Sequence, residues 1–482
     1  MFRLLFFLIA LTSFLSVSQA QTQVIRELSL NDAILLAVRE NPNVQKAQLG
    51  HVLQKFALEV QQWEFQPHFA FKATRTTSKN YSVTSNGYVT ANESGFEPSA
   101  SLLTPIGTKM TVASTNDVKN HYNPAVSLQI MQPLMRGFGR PIVEAALNNA
   151  IDSEKISRLG VEGQLRSTIT AVIGAYLDVI SAQNTLDIDQ QALHRAENSV
   201  RQTQLFIKAG HKAGVELVTV QADVASVQTR IESDKNNLDQ ARYALLATIG
   251  LDPNTAVTFS SVNVPMLIKK YHIPTLEESK QMILENDIQY QTDQITLKGS
   301  VKRSVLIAED NTRWQLNLSA NTSTGGGTGG GPNAGINSLV NGVNQTNSAT
   351  LGLTIPIDDR PAKVALASAK IALREAEIAL QQEKWGKETS VINGWHTIYS
   401  ALRAEHFAEN AEMLQEKTYH ISFQKYSFGL IDSLELQSAQ QQFSNSQQTL
   451  LDARINYLKS LINLDLLIGT TLKTWDVRVQ YL

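Results

Sequence analysis

Residues 361–399 read PAKVALASAKIALREAEIALQQEKWGKETSVINGWHTIY, and apolar residues recur in this stretch at every seventh position. The repeat consists of Val364, Ile371, Ile378, Trp385, Ile392 and Tyr399. A seven-residue apolar repeat is typical of a helix that packs along a partner helix. No proline interrupts the chain between Pro361 and Tyr426, and as a helix this run would be roughly 100 Å long. The sequence therefore predicts a helix that spans a distance, not a core element of a globular domain.

A second proline-free run, residues 142–208, predicts another long helix. The sequence AGHKAG at residues 209–214 then predicts a tight reversal into a shorter helix that stops at Gly250. The helix of residues 361–427 is followed in the same way by a reversal at Gly429 and by a shorter helix. Each long helix is therefore predicted to turn back on a shorter one.

Alternating apolar and polar residues predict strands at about residues 65–131 and 314–356. Residues 78–95 and 323–348 are rich in Asn, Ser, Gly and Thr, which predicts solvated loops between the strands. Residues 99–114 predict an additional hairpin.

The chain therefore contains two copies of one unit, which runs from a short helix through strands to a long helix, a reversal and a second short helix. Ser29 and Thr275 start the corresponding first helices, each with an acidic residue three positions later. The predicted boundaries are 21–250 for the first repeat, 251–274 for the linker, 275–469 for the second repeat and 470–482 for a C-terminal tail. Two short helices end to end match one long helix, which predicts a wall of constant height with the strands at one end.

The N-terminus predicts export. Arg3, an apolar run and small residues up to Ala20 are typical of a signal peptide, residues 1–20, that is cleaved after Ala20. The chain has no cysteine, which excludes disulfides, thiol catalysis and a lipid anchor on an N-terminal cysteine. No later stretch holds the roughly 20 consecutive apolar residues of a spanning helix, so strands are predicted to form any membrane span. The net charge of −2 gives no indication of a nucleic-acid partner.

The predicted strands of one chain are too few to close into a barrel of useful bore. An open sheet in a bilayer would leave unpaired backbone groups at its edges. Two helical repeats likewise enclose only part of a cylinder. A symmetric ring of identical chains removes both problems, because a closed ring has no edge.

Several motifs, with their order and duplication, carry a family resemblance over essentially the whole mature chain. They are LSLNDAI at 28–34, its echo PTLEES at 274–279, QPLMRGFGR at 132–140, IPIDDR at 355–360 and YSFGLIDSLELQSA at 426–439. With them the chain resembles the TolC-like outer-membrane efflux channels. The resemblance implies a mainly α fold with a membrane β-barrel part, built from two tandem repeats. A trimeric barrel would be continued by an α-helical tunnel through the periplasm.

The same resemblance implies the function and the partners. The chain would be the passive exit duct of a tripartite efflux or type I secretion system in the outer membrane of a Gram-negative bacterium. Its partners would be two further copies of itself, a periplasmic adaptor protein, an inner-membrane pump and outer-membrane lipid. The resemblance implies no catalytic activity and no cofactor.

The expected site is the periplasmic end, where both reversals lie. Its residues are Gly214, Tyr426, Gly429, Asp432 and Glu435. Glu435 matches an acidic position that narrows the tunnel mouth in the family archetype, whereas Ser438 falls where the archetype has a second acid, and Val218 is the counterpart of Glu435 in the first repeat. Asp432 and Glu435 are also typical of a helix N-cap followed by an acid in the first turn. Both roles can hold together.

Other functions are less well supported by the residues. A periplasmic hydrolase needs a compact core with convergent Ser, His and acidic residues, and the sequence offers long helices and loops. The nine histidines show no metal-binding pair, and no Lys-Ser or Lys-Thr follows the glycines at 325–331. A periplasmic coiled-coil adaptor or structural protein is the remaining alternative, although such a protein has no need of the strands.

Overall fold

The computed structural model describes residues 27–481, except residues 85, 119–121, 256, 261–266, 269, 272, 327–333 and 343. The predicted signal peptide therefore lies outside the described residues. Contacts divide the chain into two units, and each long helix contributes residues to both. The first unit comprises Met1–Val44, Ser167–Ile273 and His396–Asn463, and the second comprises Gln45–Arg166, Pro274–Trp395 and Leu464–Leu482.

Helices form most of the chain. In the first half they are α1 (Leu30–Glu40), α2 (Pro42–Trp63), α3 (Arg140–Val143), α4 (Ala145–Lys208) and α5 (Val215–Ile249). In the second half they are α6 (Leu276–Asn286), α7 (Ile288–Thr296), α8 (Lys302–Asn311), α9 (Ala334–Val340), α10 (Arg360–Ser427), α11 (Ser433–Leu467) and α12 (Thr471–Thr474). The two predicted long helices are confirmed, since α4 has 64 residues and α10 has 68, and both end at the predicted residue.

Local capping explains where these helices begin and end. The predicted capping boxes are both present: Ser29 Oγ accepts from Asp32 N at 3.2 Å, and Thr275 Oγ1 accepts from Glu278 N at 3.3 Å. After α5, Gly250 adopts a left-handed φ of 97°, and a Cβ atom there would lie 2.7 Å from the carbonyl oxygen of Glu40. Glycine is therefore required at this helix end.

The helix predicted from Thr275 to about Asp310 is confirmed at its ends but is broken inside. Asp287 ends α6 and caps α7, with its Oδ1 accepting from Tyr290 N at 2.8 Å. A π-helical turn, Leu297–Val301, then precedes α8. Neither break contains a proline, so nothing in the local pattern predicted an interruption of the helix.

Six strands of the second unit are β2 (His68–Ser82), β3 (Gly87–Leu103), β4 (Lys109–Val118), β5 (Tyr122–Pro133), β7 (Gln315–Gly325) and β8 (Thr346–Thr354). They form one antiparallel sheet in the order β2-β3-β4-β5-β7-β8. In the first unit, β1 (Glu27–Leu28) pairs in parallel with β6 (Thr258–Phe259), inside the linker predicted to be irregular. The first half of the chain thus supplies four strands of the large sheet and the second half two.

The prediction of a loop at residues 78–95 is wrong. Residues 78–82 continue β2 and residues 87–95 belong to β3, with Tyr81 paired to Tyr88. Both faces of this ribbon carry polar residues, so the period-two apolar signal of a strand is absent. The hairpin predicted at 99–114 is confirmed as the inner parts of β3 and β4, which lie in the same sheet as the other strands. The loop predicted at 323–348 is too long at both ends, because residues 323–325 belong to β7 and residues 346–348 to β8. It also contains α9, whose Gly, Asn and Ser content hid it, and its residues 327–333 and 343 lie outside the described residues.

The core of the first unit surrounds α4. Ile169, Ile173 and Leu177 are fully buried there, together with Leu245 and Ile249 of α5. Among the described helices, α4 alone is long and apolar enough to cross a membrane. Just over half of its most apolar 18-residue segment is buried in protein. A core helix passes the same test, so this feature is weak evidence for a span.

Tyr176 connects the parallel β1–β6 pair to this core through hydrogen bonds. Its side chain is fully buried, and its hydroxyl lies 2.9 Å from Leu28 O and 2.8 Å from Ser260 O, to which it donates. Burial raises the pKa of Tyr176 to about 12, so the phenol stays protonated at physiological pH.

We expect Tyr176→Phe to lower the free energy of unfolding by about 1–3 kcal/mol, because two buried carbonyl groups lose their donor. Thermal denaturation of the purified protein measures this as a lower Tm. Tyr243→Phe is the control, since Tyr243 is 52% exposed on α5 and its replacement should change stability by less than about 0.5 kcal/mol. Equal Tm values for the two variants would contradict a role for the Tyr176 hydroxyl.

Candidate functional site

The first reversal, residues 209–214, depends on Gly210, not on Gly214. Gly210 has a φ of 73°, and His211 N donates to Phe206 O at 2.8 Å, which closes the end of α4. Gly214 lies in the reversal as predicted, but its φ of −61° is open to any residue and a Cβ there would touch nothing. A left-handed position favours glycine, so Gly210 is the residue that the turn requires.

The second reversal, residues 428–432, uses the same geometry. Gly429 has a φ of 74°, and Leu430 N donates to Lys425 O at 2.9 Å. Asp432 caps α11, because its Oδ1 accepts from Glu435 N at 2.8 Å. The predicted N-cap is therefore confirmed. Glu435 is exposed in the first turn of α11, and its role at a tunnel mouth stays a prediction.

Tyr426 is not a surface residue of the turn but a buried connection between the two helical hairpins. Its side chain has no exposed area, and its hydroxyl lies 2.6 Å from Thr203 Oγ1 on α4. The ring of Phe206 meets it edge-on, with 5.8 Å between ring centroids. Hence Tyr426 holds the end of α10 against the end of α4.

Lys212 joins the two reversals directly, a contact that was not predicted from the sequence. Its side chain is almost fully buried, and its Nζ donates to Ile431 O at 3.2 Å and to Glu216 Oε2 at 2.7 Å. The same Nζ lies 4.1 Å from the ring centroid of Tyr426, a cation–π contact. The one signal in the sequence was the Lys212–Glu216 spacing of four residues at the start of α5.

Further polar contacts continue along the same pair of hairpins. Gln440 Nε2 donates to Ser199 Oγ at 3.1 Å, and Arg195 Nη2 donates to Ser444 Oγ at 2.8 Å. Burial lowers the pKa of Arg195, and its guanidinium lies 5.2 Å from the ring centroid of Phe443. Near the reversals the hairpins therefore meet through buried polar side chains as well as apolar ones such as Leu436 and Phe443, whereas the core around Ile173 is apolar.

The large sheet has two different faces. Side chains alternate along a strand, and residues paired across antiparallel strands share a face. Phe69 pairs with Ala100, Ala100 with Val112 and Val112 with Leu128, so all four lie on one face. That face, here called the apolar face, carries the exposed side chains Phe69, Phe71, Phe96, Val112, Leu318, Leu351 and Leu353, and the half-buried Leu102, Met110, Val126, Leu128, Ile130 and Leu316.

The opposite face, here called the polar face, is hydrophilic. It carries Lys72, Glu93, Glu97 and Lys109, and rows of Ser, Thr, Asn and Gln such as Ser101, Thr111, Gln129, Asn321 and Ser348. Lys72 Nζ lies 3.4 Å from Glu97 Oε2 across the β2–β3 pair. An exposed sheet with one apolar and one polar face is the pattern of a wall between hydrocarbon and water.

The apolar side chains run diagonally across the strands. The ladder that starts at Phe69 reaches Leu128 in β5 and Asn347 in β8. In β8 the apolar residues, Leu351 and Leu353, lie further along toward α10, whereas in β2 they lie around Phe71. From β2 to β8 the centre of the apolar residues is displaced along the strands by about seven residues, or roughly 24 Å. The five spacings between these six strands also sum to roughly 24 Å. A level apolar band thus requires strands tilted by about 45°, close to the tilt in membrane barrels.

The family model of outer membrane efflux proteins matches residues 33–251 and 307–470, which is well over half of the chain. The chain belongs to the outer membrane efflux protein family. This confirms the resemblance to TolC-like channels that the sequence motifs indicated. No curated protein sequence matches this efflux protein.

Solved structures share the fold of the efflux protein. Crystal structures of CusC match with a TM-score of 0.71 and 14% identity, over 94% of this chain and 95% of that chain. The outer membrane protein VceC from Vibrio cholerae matches with a TM-score of 0.66 and 15% identity, over 91% and 96%. The MtrE outer membrane channel of Neisseria gonorrhoeae, in its open state, matches with a TM-score of 0.66 and 15% identity, over 93% and 91%.

A carboxylate pair lies between α4 and α5 of the efflux protein. Arg230 donates to both oxygens of Asp189, at 3.0 and 3.2 Å, and Asp234 is hydrogen-bonded to Asp189 from the other side. Burial and the Asp189 carboxylate raise the pKa of Asp234 to about 6. Arg230 also donates to Gln441 Oε1 on α11 at 3.2 Å, so the pair sits where the two hairpins meet.

We expect Asp234→Asn to flatten the pH dependence of stability. The folded pKa lies above the unfolded value of about 4, so between pH 4 and 6 the folded protein binds more protons, and stability falls as the pH rises through this window. The variant lacks this group and should lose less Tm than the native protein between pH 4.5 and 7. Asp239→Asn, on an exposed position of α5, is the control and should keep the native slope. The same slope in all three proteins would show that Asp234 is ionised as in the unfolded chain.

Proposed function

We propose that this protein is the outer-membrane exit duct of a tripartite efflux or type I secretion system, a passive conduit from the periplasm to the exterior. The observation that carries the proposal is the two-faced sheet with its diagonal apolar band. In water, such a band of exposed Phe and Leu side chains would be an aggregation liability. Against lipid it is a wall, with the polar face toward a water-filled lumen.

The edges of the sheet support assembly from several copies. Among the described strands, β2 and β8 each have one neighbour, so each leaves a row of backbone groups unpaired. Bilayer hydrocarbon does not tolerate such edges. Because six strands alternate in direction, β8 of one copy runs antiparallel to β2 of the next. A homotrimer would close a barrel of about 18 strands, the size range in which porins leave an aqueous channel.

The helices support the same assembly. In the second unit the apolar residues Val364, Ile371, Ile378 and Trp385 of α10 are exposed. The residues Leu49, Leu53, Phe56, Val60 and Trp63, spaced by three and four along α2, are exposed as well. Both stripes fit helices of neighbouring copies in an α-helical tunnel. The two repeats, residues 21–250 and 275–469, would each contribute one helical hairpin to its wall.

The remaining parts of the proposal follow from this architecture. The signal peptide of residues 1–20 would direct export, and the mature chain would carry no lipid anchor. The reversals would form the periplasmic end, where a periplasmic adaptor protein and an inner-membrane pump would bind. Energy for transport would come from the pump, since the chain itself is proposed to have no enzymatic activity.

A periplasmic coiled-coil adaptor or structural protein is the alternative. Its sheet would have to be covered by protein or remain in water, and neither accounts for an apolar face whose band is tilted against the strands. The two functions separate on cell fractionation. An adaptor dissolves without detergent, whereas the duct stays in the outer-membrane fraction.

We expect the mature protein to purify as a detergent-soluble trimer. Light scattering corrected for bound detergent should give three times the mass of one chain, because one chain leaves both sheet edges open. The mass should stay constant over a dilution series. A monomer in mild detergent would contradict the proposed architecture.

Glu435 is the residue in which the proposed lumen can be tested. In a threefold tube, three Glu435 carboxylates would approach the axis and attract cations. We expect single channels in planar bilayers to prefer cations, and Glu435→Gln to weaken this preference without dissociating the trimer. Glu435→Asp keeps the charge and should keep the preference. Unchanged ion selectivity in a folded Glu435→Gln trimer would leave Glu435 as a first-turn acid only.

A further inference from the structure

The apolar face carries two charged residues among its described positions, and both are cations. Arg75 and Lys79 lie on the same face as Phe69 and Phe71, since they follow at even spacing along β2. The polar face, by contrast, carries charges of both signs. We propose that Arg75 and Lys79 bind the phosphate groups of a phosphorylated glycolipid in the outer leaflet. This inference rests on the proposed function, which turns the apolar face toward lipid.

The position of the two cations relative to the band supports the assignment. Arg75 lies four residues beyond Phe71 and Lys79 lies eight, or roughly 13 and 27 Å along the strand. With strands tilted by about 45°, these distances place them about 9 and 19 Å above the middle of the band. A barrel's apolar band is about 25 Å tall, so its upper edge falls between them. Lipid phosphates lie at this level.

Among the described residues, the ribbon that holds Lys79 consists of two strands. The outermost described pair between β3 and β4 joins Ser94 to Val118, whereas β2 and β3 continue as a two-stranded ribbon up to Ser82 and Gly87. A two-stranded hairpin is marginal in water, so a surface that covers one face would stabilise it. The proposed lipid headgroups supply that surface.

Aromatic contacts orient the cation at the end of the ribbon. Lys79 Nζ lies 4.9 Å from the ring centroid of Tyr88, and Tyr88 meets Tyr81 edge-on at 5.5 Å. Tyr81 and Tyr88 share the apolar face by register, and tyrosines are typical of the headgroup level. The ring stacked under Lys79 holds the ammonium group on the outer side of the ribbon.

The opposite face supplies a matched control. Lys72, three residues before Arg75, lies on the polar face beside Glu97, and Lys109 of β4 lies on that face as well. The double variant Lys72→Ala/Lys109→Ala therefore removes the same charge as Arg75→Ala/Lys79→Ala. If lipid is the ligand, Arg75→Ala/Lys79→Ala should weaken lipid binding and Lys72→Ala/Lys109→Ala should not.

The test titrates diphosphoryl lipid A into delipidated protein in detergent, with bound lipid counted by native mass spectrometry. Removing both cations should weaken binding roughly tenfold to thirtyfold, and the control should stay within about threefold of the native protein. The charge-preserving Arg75→Lys/Lys79→Arg should bind as the native protein does. Dephosphorylated glycolipid should bind as weakly to the native protein as the phosphorylated form binds to Arg75→Ala/Lys79→Ala.

Three results would overturn the proposal. Equal binding to both double variants would show that the two cations do not contact the ligand. Equal affinity for phosphatidylglycerol would show that the site does not select the glycolipid. Competition by millimolar inorganic phosphate would indicate a site for free phosphate. A protein that is monomeric and dissolves without detergent would instead defeat the proposed function, and the mass measured in the same spectra separates that failure from the others.

Discussion

The structure depends on one constraint: a single chain cannot satisfy its own sheet. On their outer edges β2 and β8 have no neighbouring strand among the described strands, and the apolar face of the sheet carries exposed Phe and Leu side chains. In water, open strand edges can pair with other chains and an exposed apolar face promotes association, so both favour aggregation. Both would vanish in the proposed assembly, in which the edges pair with other copies and lipid covers the apolar face.

The first unit solves a different problem. Its core around Ile173 and Leu245 is apolar and fully buried, so it holds two hairpins together without help. Toward the reversals the contacts become polar, through Thr203 with Tyr426, Lys212 with Ile431 and Ser199 with Gln440. Such contacts exchange readily for contacts with water, since the net worth of one hydrogen bond is only about 1 kcal/mol.

Most of the helical framework could be predicted because its signals are local. Proline-free runs and the glycines of the reversals located α4 and α10, and two capping boxes located the starts of α1 and α6. The loop prediction at residues 78–95 failed because a ribbon exposed on both faces has no apolar alternation. The break at Asp287 escaped because its cause is partly tertiary, since Lys387 Nζ lies 2.9 Å from Asp287 Oδ2.

The sequence predicted where the candidate site lies, but not which side chains are in contact there. The spacing of Gly214 and Gly429 located both reversals, whereas the contacts of Lys212 and the raised pKa of Asp234 depend on residues more than 40 positions away or on buried neighbours. No periodicity reports such a pairing. Charge on one face of a sheet is similarly invisible until the register is known, because a shift of one residue would move Arg75 to the other face.

Apolar residues at seven-residue spacing form two stripes on α10. Val391 and Ile398 are seven residues apart and fully buried inside the chain, whereas Val364, Ile371 and Ile378 stay exposed. The helix thus carries one apolar stripe toward its own chain and another away from it. A stripe with seven-residue spacing is matched only by another helix. The exposed stripe is not covered by any helix among the described residues, so in the proposed assembly a helix of another copy would cover it, and the copies that close the sheet would also shield α10.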